Sequence, residues 1–228
     1  MLHCPVVKRL VIAVDGPSGA GKGTVARAAA RALGYRHVDT GAMYRAVAWE
    51  AMRRQLRLDA HDAAARLAAE AAIDMDEGRI RINGHDVTAD IRTPDIDKAS
   101  AVVARIPAVR DVLVDLQRVI GRDGGVVMDG RDIGTVVFPS ADVKIYLDAS
   151  PEERARRRAT DAAHTGGRQV DVAHVAEDLA ARDKSDATRS VAPLAQAADA
   201  VYIDTTGMPV ADVVARVLAL VHEKAGNA

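Results

Sequence analysis

Four short apolar runs recur along the chain, and each borders polar or glycine-rich sequence. The first covers residues 10–14, and the others lie at residues 125–129, 143–147 and 200–204. Continuous apolar runs of this length are typical of strands that are buried on both faces of a parallel sheet. Helical patterns lie between the runs, and this alternation predicts β-α-β units with right-handed crossovers in one α/β sheet.

Two of the helical patterns have clear ends. One begins at Pro107, carries apolar residues at helical spacing up to Ile120, and meets Gly121 as a stop signal. The other follows Ser150, which is a suitable N-cap, with a proline in the first turn and Glu153 at the capping-box position. We therefore predict helices that begin at residues 107 and 151.

Residues 73–91 do not fit a parallel sheet. Arginine and isoleucine alternate over residues 79–82, and Asn83 with Gly84 offers the residues that a tight hairpin turn requires. This pattern predicts a small antiparallel sheet inside an insertion over about residues 41–106. A length of 228 residues suits one main domain, so we place its core at about residues 8–40 and 107–228.

Composition narrows the functions that need considering. Charged residues make up 28% of the chain, yet the net charge is only -1, which gives no general attraction to nucleic acid or an anionic membrane. The single cysteine cannot form an internal disulfide, and no apolar stretch approaches the roughly 20 residues of a membrane span. We expect a soluble, cytoplasmic monomer that acts on small molecules.

The strongest chemical signal follows the first apolar run directly. Glycines let a backbone curl until its N–H groups point at phosphate oxygens, and the helix that follows places its positive end there. Lys22 can reach the β and γ phosphates of a nucleotide, but Gly23 stands where Ser or Thr usually binds Mg²⁺, with Thr24 one place later. The predicted phosphate loop consists of Gly16, Pro17, Ser18, Gly19, Ala20, Gly21, Lys22, Gly23 and Thr24.

This loop predicts only that the chain binds the phosphates of a nucleotide. A kinase, a GTPase switch and an ATP-driven regulator would each use it equally well. Asp129 adds a carboxylate at the carboxyl end of a predicted strand, where ligands bind in such sheets, and it could hold Mg²⁺ through water. The alternative for Asp129 is an ordinary turn cap, since aspartate is common in turns.

A basic helix strengthens the interpretation as a kinase. The helix after Ser150 carries Arg154, Arg156, Arg157 and Arg158, and three of them share a face because helix neighbours are three and four residues apart. A solvated helix face is the alternative. Beside a phosphate loop we favour an arginine-rich lid over about residues 154–170, because guanidinium groups neutralise the charge that phosphoryl transfer concentrates.

Longer strings resemble a known family. Residues 16–24, 39–45 (Asp-Thr-Gly-Ala-Met-Tyr-Arg), 129–139 (Asp-Gly-Arg-Asp-Ile-Gly-Thr-Val-Val-Phe-Pro) and 182–193 together resemble the bacterial cytidylate kinases. The resemblance implies a three-layer P-loop fold with a five-stranded parallel core, an arginine-rich lid and an insertion enlarged by a small β-sheet. It also implies transfer of phosphate from ATP to CMP, and to dCMP, with Mg²⁺ as cofactor.

The resemblance also implies roles for individual residues. Lys22, Arg131, Arg158 and Arg182 would be catalytic; the donor ATP would also contact Arg154, Arg157 and Arg158; and Mg²⁺ would be held by Asp129 through water and by Thr24. The acceptor would be bound by Thr40 and Arg45 at its phosphate, by Ser100, Arg110 and Asp132 at cytosine, and by Arg182, Asp186 and Arg189 near sugar and phosphates.

The phosphate of CMP is already anionic at neutral pH, so the reaction needs no strong general base and no histidine. Two alternatives remain open at this point. One is another small P-loop kinase, such as an adenylate or shikimate kinase. The other is a nucleotide-binding switch, although the chain has no Asn-Lys-x-Asp string for guanine and more arginines than a switch needs.

Overall fold

Parallel strands form the central sheet, and helices pack on both of its faces. The computed structural model describes residues 9–58, 60–76, 78–161, 165 and 169–226. In chain order the elements are β1 (Val11–Asp15), α1 (Lys22–Leu33), β2 (Arg36–Asp39), α2 (Thr40–Arg53), α3 (His61–Glu70), β3 (Ile73–Asp76), β4 (Arg79–Ile82), β5 (His85–Asp86), α4 (Pro94–Val103), α5 (Pro107–Gly121), β6 (Val126–Asp129), a π-helical turn (Ile133–Val137), β7 (Val143–Asp148), α6 (Pro151–Thr160), α7 (Val172–Thr188), β8 (Val201–Asp204) and α8 (Val210–Gly226).

Within the described residues the main sheet has five parallel strands in the order β2-β6-β1-β7-β8, which confirms the predicted core. Both faces are apolar: Ile12 and Val14 of β1 pack towards α1 and α8, whereas Ala13 packs towards the core that includes α2 and α5. Parallel strands place their carboxyl ends at one edge, so the loops after β1 and β6 meet there. The four predicted strands are confirmed as β1, β6, β7 and β8.

The hydrophobic pattern did not predict strand β2. It lies at the edge of the sheet, pairs only with β6 among the described strands, and buries a single apolar residue, Val38. Its neighbours Arg36, His37 and Asp39 are polar. An edge strand of four residues with one apolar side chain has no run for the hydrophobic pattern to detect.

The small antiparallel sheet is confirmed. Strands β3, β4 and β5 pair in that order, and Ile80 and Ile82 of β4 are buried. The tight turn joins β4 to β5, where Asn83 and Gly84 have positive φ angles of 51° and 80°, as the inner positions of a type I′ hairpin require. The insertion boundaries at about residues 41 and 106 stay a prediction.

The helix starts are confirmed with one difference. Helix α5 spans Pro107–Gly121, and Ser150 caps α6 by accepting a hydrogen bond from the backbone N–H of Glu153 at 3.2 Å. The reciprocal half of the predicted capping box is wrong, because the N–H of Ser150 donates to Thr206 Oγ1 and the Glu153 carboxylate binds Arg156 and Arg157. Of the predicted lid, residues 162–164 and 166–168 lie outside the described residues. No described helix is long and apolar enough to cross a membrane.

Candidate active site

The phosphate loop leaves β1 and curls into the start of α1. Only glycine fits at Gly16, where a Cβ atom would lie 1.9 Å from the carbonyl oxygen of Leu147. Lys22 is the first residue of α1, is 6% exposed, and donates from Nζ to the Pro17 carbonyl oxygen at 2.6 Å. Burial, followed by repulsion from Arg131, lowers the pKa of the Lys22 ammonium well below its usual value, while Asp129 and Asp15 oppose the shift. A bound anion would relieve this cost.

Asp15 ties the loop after β6 to the phosphate-loop strand. Its buried carboxylate accepts from the backbone N–H groups of Ile133 at 2.9 Å and Gly134 at 2.7 Å, where the π-helical turn begins. Burial raises the pKa of Asp15 to about 6, against these two hydrogen bonds. Asp15 was not among the predicted site residues, although an acidic residue at the end of an apolar run, just before the loop glycine, is a local signal for it.

Asp129 lies at the carboxyl end of β6, as predicted. A Cβ atom on Gly23 would lie 3.8 Å from Asp129 Oδ2, so this carboxylate borders the phosphate loop. His37 Nε2 lies 2.7 Å from Asp129 Oδ1, and Thr40 Oγ1 donates to the Asp129 carbonyl oxygen at 2.8 Å. His37 was also missed, because nothing in its local sequence indicates that β2 pairs with β6.

Two residues predicted at the base, Arg110 and Asp132, join a buried chain of opposite charges with Asp186 and Arg189, which were predicted near sugar and phosphates. Arg110, which is 2% exposed, donates to Asp132 Oδ2 at 2.5 Å, and Arg189 lies 3.4 Å from Asp132 Oδ1. Arg189 also lies 3.8 Å from Asp186, which accepts from Arg131 Nε at 2.9 Å. Helix α5, the loop after β6 and the C-terminal end of α7 therefore contribute to one polar wall.

Ser100 also borders the cleft, but its hydroxyl donates to the Asp97 carbonyl oxygen of its own helix at 2.9 Å. Tyr44 packs beside the polar wall, with the Arg110 guanidinium carbon 5.4 Å from the centre of its ring.

Asp97 on α4 draws three predicted phosphate-binding arginines together. Arg158 forms an ion pair with Oδ2, Arg182 lies 3.3 Å from Oδ1, and Arg45 lies 3.9 Å from Oδ1. Arg45 also pairs with Asp39 at 3.1 Å. Asp97 was missed because its partners are on α2, α6 and α7, which only the fold brings together.

The arginines of α6 do not act as one set. Arg154 donates to the carbonyl oxygens of Ala149 and Ser18 at 3.1 Å each and pairs with Asp183. Arg157 donates to the hydroxyl and carbonyl oxygens of Thr205 at 2.9 and 2.6 Å. Of these three arginines only Arg158 lines the cleft. Arg154 and Arg157 instead support the phosphate loop, so the three residues predicted to share one face have two different roles.

The cleft between the phosphate loop and the polar wall has a volume of about 1140 Å³. This volume exceeds the roughly 300–1,000 Å³ of typical small-molecule sites. Gly16, Pro17 and Ala20 do not line it. The predicted site residues that do are Ser18, Gly19, Gly21, Lys22, Gly23, Thr24, Thr40, Arg45, Ser100, Arg110, Asp129, Arg131, Asp132, Arg158, Arg182, Asp186 and Arg189.

A glycine-curled loop between a strand and a helix, faced across one cleft by buried arginines, defines the class of P-loop phosphotransferases. The profile of the family described as cytidylate kinase matches residues 12–223. The chain belongs to the cytidylate kinase family and is an ATP-dependent phosphotransferase.

Relatives match over almost their full lengths. The chain is 47% identical over 220 residues to the cytidylate kinase of Desulfitobacterium hafniense, covering 95% of this chain and 94% of that one. It is 50% identical over 215 residues to the cytidylate kinase of Pelotomaculum thermopropionicum, covering 92% and 95%. Among solved structures, a shikimate kinase from Bacteroides thetaiotaomicron aligns with a TM-score of 0.50 at 12% identity, covering 93% of this chain and 98% of that one, and this likeness concerns the fold alone.

Proposed function

We propose that the chain transfers the γ-phosphate of ATP to CMP and dCMP, giving ADP with CDP or dCDP. The observation that carries the proposal is the buried Arg110–Asp132 pair, which lies in the same cleft as Lys22. Cytosine offers an amine donor and ring acceptors, so a carboxylate can accept from the amine while an arginine donates to the ring. Uracil reverses part of that pattern.

In this proposal the phosphate loop binds the donor. The loop N–H groups and Lys22 hold the ATP phosphates, and Arg154 and Arg157 support the loop through Ser18 and Thr205. Mg²⁺ fits beside Asp129, because Mg²⁺ in kinases is commonly held by one or two carboxylates together with substrate phosphates. Asp129 would hold the ion through water, with Thr24 as a further oxygen, and the ion would neutralise phosphate charge.

The acceptor would lie against α2, α5 and the residues after β6. Thr40 and Arg45 would hold its phosphate, and Asp132 with Arg110 would read the base beside Ser100. Asp186 and Arg189 would contact sugar and phosphate. The support is that these side chains, together with Arg182, line one continuous cleft with the phosphate loop.

Catalysis would consist of alignment and charge neutralisation. The acceptor phosphate is already an anion, so Lys22, Arg131, Arg158 and Arg182 need only hold the two nucleotides in line and stabilise the moving phosphoryl group. Asp186 positions Arg131 through their 2.9 Å hydrogen bond. Closure of the lid over the cleft would exclude water, which would otherwise accept the phosphoryl group.

We also infer a monomer, since one chain supplies the residues for both nucleotides. The single cysteine supports the expected cytoplasmic location, because a reducing compartment leaves it unpaired. Light scattering at working enzyme concentration measures the oligomeric state. A mass near 24.1 kDa is expected, and a stable dimer would overturn this part of the proposal.

The decisive assay couples ADP release to a panel of acceptors: CMP, dCMP, UMP, AMP and shikimate. We expect the highest kcat/KM with CMP or dCMP and little ADP release without an acceptor. A preference for AMP or shikimate would identify another small kinase instead. ADP release that does not depend on any acceptor would favour the switch.

A further inference from the structure

Asp97 occupies a position that the reaction needs for an anion. It lies in the first turn of α4, with its side chain 12% exposed, and contacts Arg45 of α2, Arg158 of α6 and Arg182 of α7. Under the proposed function these arginines bind the acceptor phosphate or the phosphoryl group in transfer. The carboxylate of Asp97 and the acceptor phosphate would therefore bind the same guanidinium groups.

Like charge crowds the arginines that face Asp97. Asp97 contacts three guanidinium groups, of which Arg45 also pairs with Asp39, and Arg131 lies close enough to repel Arg158 and Arg182. Burial lowers the pKa of Arg182, Asp97 opposes this, and repulsion by Arg131 and Arg45 adds to the lowering. The pKa of Arg158 is lowered by burial in the same way. Burial and mutual repulsion therefore make Arg158 and Arg182 costly to keep charged, and a bound anion would lower that cost.

Two N–H donors of these arginines are also available to bind a ligand. The Nε atoms of Arg45 and Arg182 are buried and have no hydrogen-bond partner among the described residues. Buried N–H groups are normally satisfied, so these two have room for an acceptor that the described residues do not supply, such as a ligand oxygen or a water. A phosphate offers more acceptor oxygens than the carboxylate of Asp97 and can fork against a guanidinium.

We propose that Asp97 is an internal competitor of the acceptor phosphate, because its carboxylate forms ion pairs with Arg45, Arg158 and Arg182, the guanidinium groups that the phosphate must bind. Asp97 thereby sets the affinity for the acceptor. The inference rests on the proposed function for the identity of that acceptor. A different role, in which Asp97 only holds the arginines in place for the phosphate, predicts the opposite effect of removing its charge.

The test removes the charge while keeping the shape of the side chain. In D97N we expect KM for CMP to fall by about 3- to 10-fold, the effect of losing a partly exposed ion pair, with kcat within about threefold of wild type. The matched control is D95N, because Asp95 is exposed in the same first turn of α4, so this variant loses the same charge at the helix terminus away from the arginines. Its KM should equal that of wild type.

A binding measurement on the free protein separates this inference from the proposed function. Titration with inorganic phosphate, followed by calorimetry, should show tighter binding to D97N than to wild type by a similar factor, whichever acceptor the enzyme uses. Asp97→Ser repeats the comparison should D97N fold poorly. Unchanged or weaker phosphate binding, or a raised KM for CMP, overturns the inference. If wild type does not phosphorylate CMP, the proposed function is overturned. The titration with inorganic phosphate then remains as the test of Asp97.

Discussion

Buried charge is concentrated at a few side chains of the cleft. Arg110, Asp132, Asp186 and Arg189 are each less than 9% exposed and alternate in sign along one chain of contacts. Buried ion pairs contribute little to stability because desolvation offsets their attraction. Their value here is that the donors and acceptors are fixed before a ligand arrives, which lowers the cost of orienting them during the reaction.

Lys22→Ala tests the donor side of the site. We expect kcat to fall at least about a hundredfold, in line with the loss of other preorganised electrostatic groups. Lys144→Ala is a matched control: Lys144 is also buried and donates to a proline carbonyl five residues earlier, but it lies outside the cleft. Turnover of folded Lys22→Ala within about tenfold of wild type would contradict the role given to Lys22.

Asp132→Asn tests whether Asp132 makes the enzyme select cytosine over uracil. An amide can donate to uracil as well as accept from cytosine, so we expect the preference for CMP over UMP in kcat/KM to fall at least about tenfold, the value of one charge-assisted hydrogen bond. The ratio of two substrates does not depend on how much of the variant is active. Asp183→Asn, which removes a carboxylate from the ion pair with Arg154, should leave the ratio unchanged. A preserved preference in Asp132→Asn would exclude Asp132 as the selective group.

The site residues differ in how far sequence could identify them. The phosphate loop is local, because its glycines, lysine and flanking elements are contiguous, and Asp132 came from the family resemblance. His37 and Asp97 have roles that depend on partners far away in the chain, namely Asp129 for His37 and Arg182 for Asp97. Strand pairing and helix packing create those contacts, and no local pattern records them.

At the scale of elements, Glu50 joins helix α2 to the hairpin. Its buried carboxylate accepts from Arg53 at 2.7 and 2.9 Å, from Arg54 at 2.7 Å and from Asn83 at 3.1 Å. Asn83 also accepts from the N–H of Ala72 at 3.0 Å. The hairpin turn is therefore attached both to α2 and to the segment before β3. The sequence predicted the turn from its residues, but the attachment depends on a glutamate 33 residues away.

Glu50→Gln should destabilise the protein most at neutral pH. Hydrogen bonds from Arg53, opposed by burial and aided by Asn83 and Arg54, lower the pKa of Glu50 from 4.5 to about 2. A folded-state pKa below the unfolded one means that the carboxylate stabilises the fold above pH 4.5 and loses this effect as pH falls towards 2. We expect wild type to exceed the variant by about 1–3 kcal/mol in free energy of unfolding at pH 7.

Urea unfolding from pH 7 to pH 3 measures this difference. The gap between wild type and Glu50→Gln should stay constant down to about pH 5 and then narrow. Asp115→Asn is the control, because Asp115 is 76% exposed in its pair with Arg118 and should cost less than about 0.5 kcal/mol. A gap that widened on acidification would contradict the assignment of the shift to Glu50.

At the scale of the molecule, the cleft lies where three parts of the fold meet. The carboxyl ends of β1 and β6 supply the phosphate loop and Asp129; α2, α4 and α5 supply Arg45, Ser100 and Arg110; and α6 and α7 supply Arg158 and Arg182. The alternation of apolar runs predicted the first part. The other two depend on how the helices pack against the sheet, which the pattern of each helix alone does not specify.

This arrangement predicts that the two nucleotides stabilise the fold through separate contacts. Each ligand at about 100 times its Kd adds about 2.7 kcal/mol, which corresponds to a rise in Tm of about 5–10 °C for a chain of this size. ADP and CMP together should raise Tm by at least the sum of their separate effects, because both bind between the same three parts. Lys22→Ala should lose most of the rise produced by ADP and keep that produced by CMP, whereas Asp132→Asn should keep the rise produced by ADP and show a smaller rise with CMP. Scanning fluorimetry of wild type and the two variants, with each ligand alone and with both, measures these changes in Tm. If Lys22→Ala lost the rise with CMP as well as the rise with ADP, the donor and the acceptor would not occupy separate halves of the cleft.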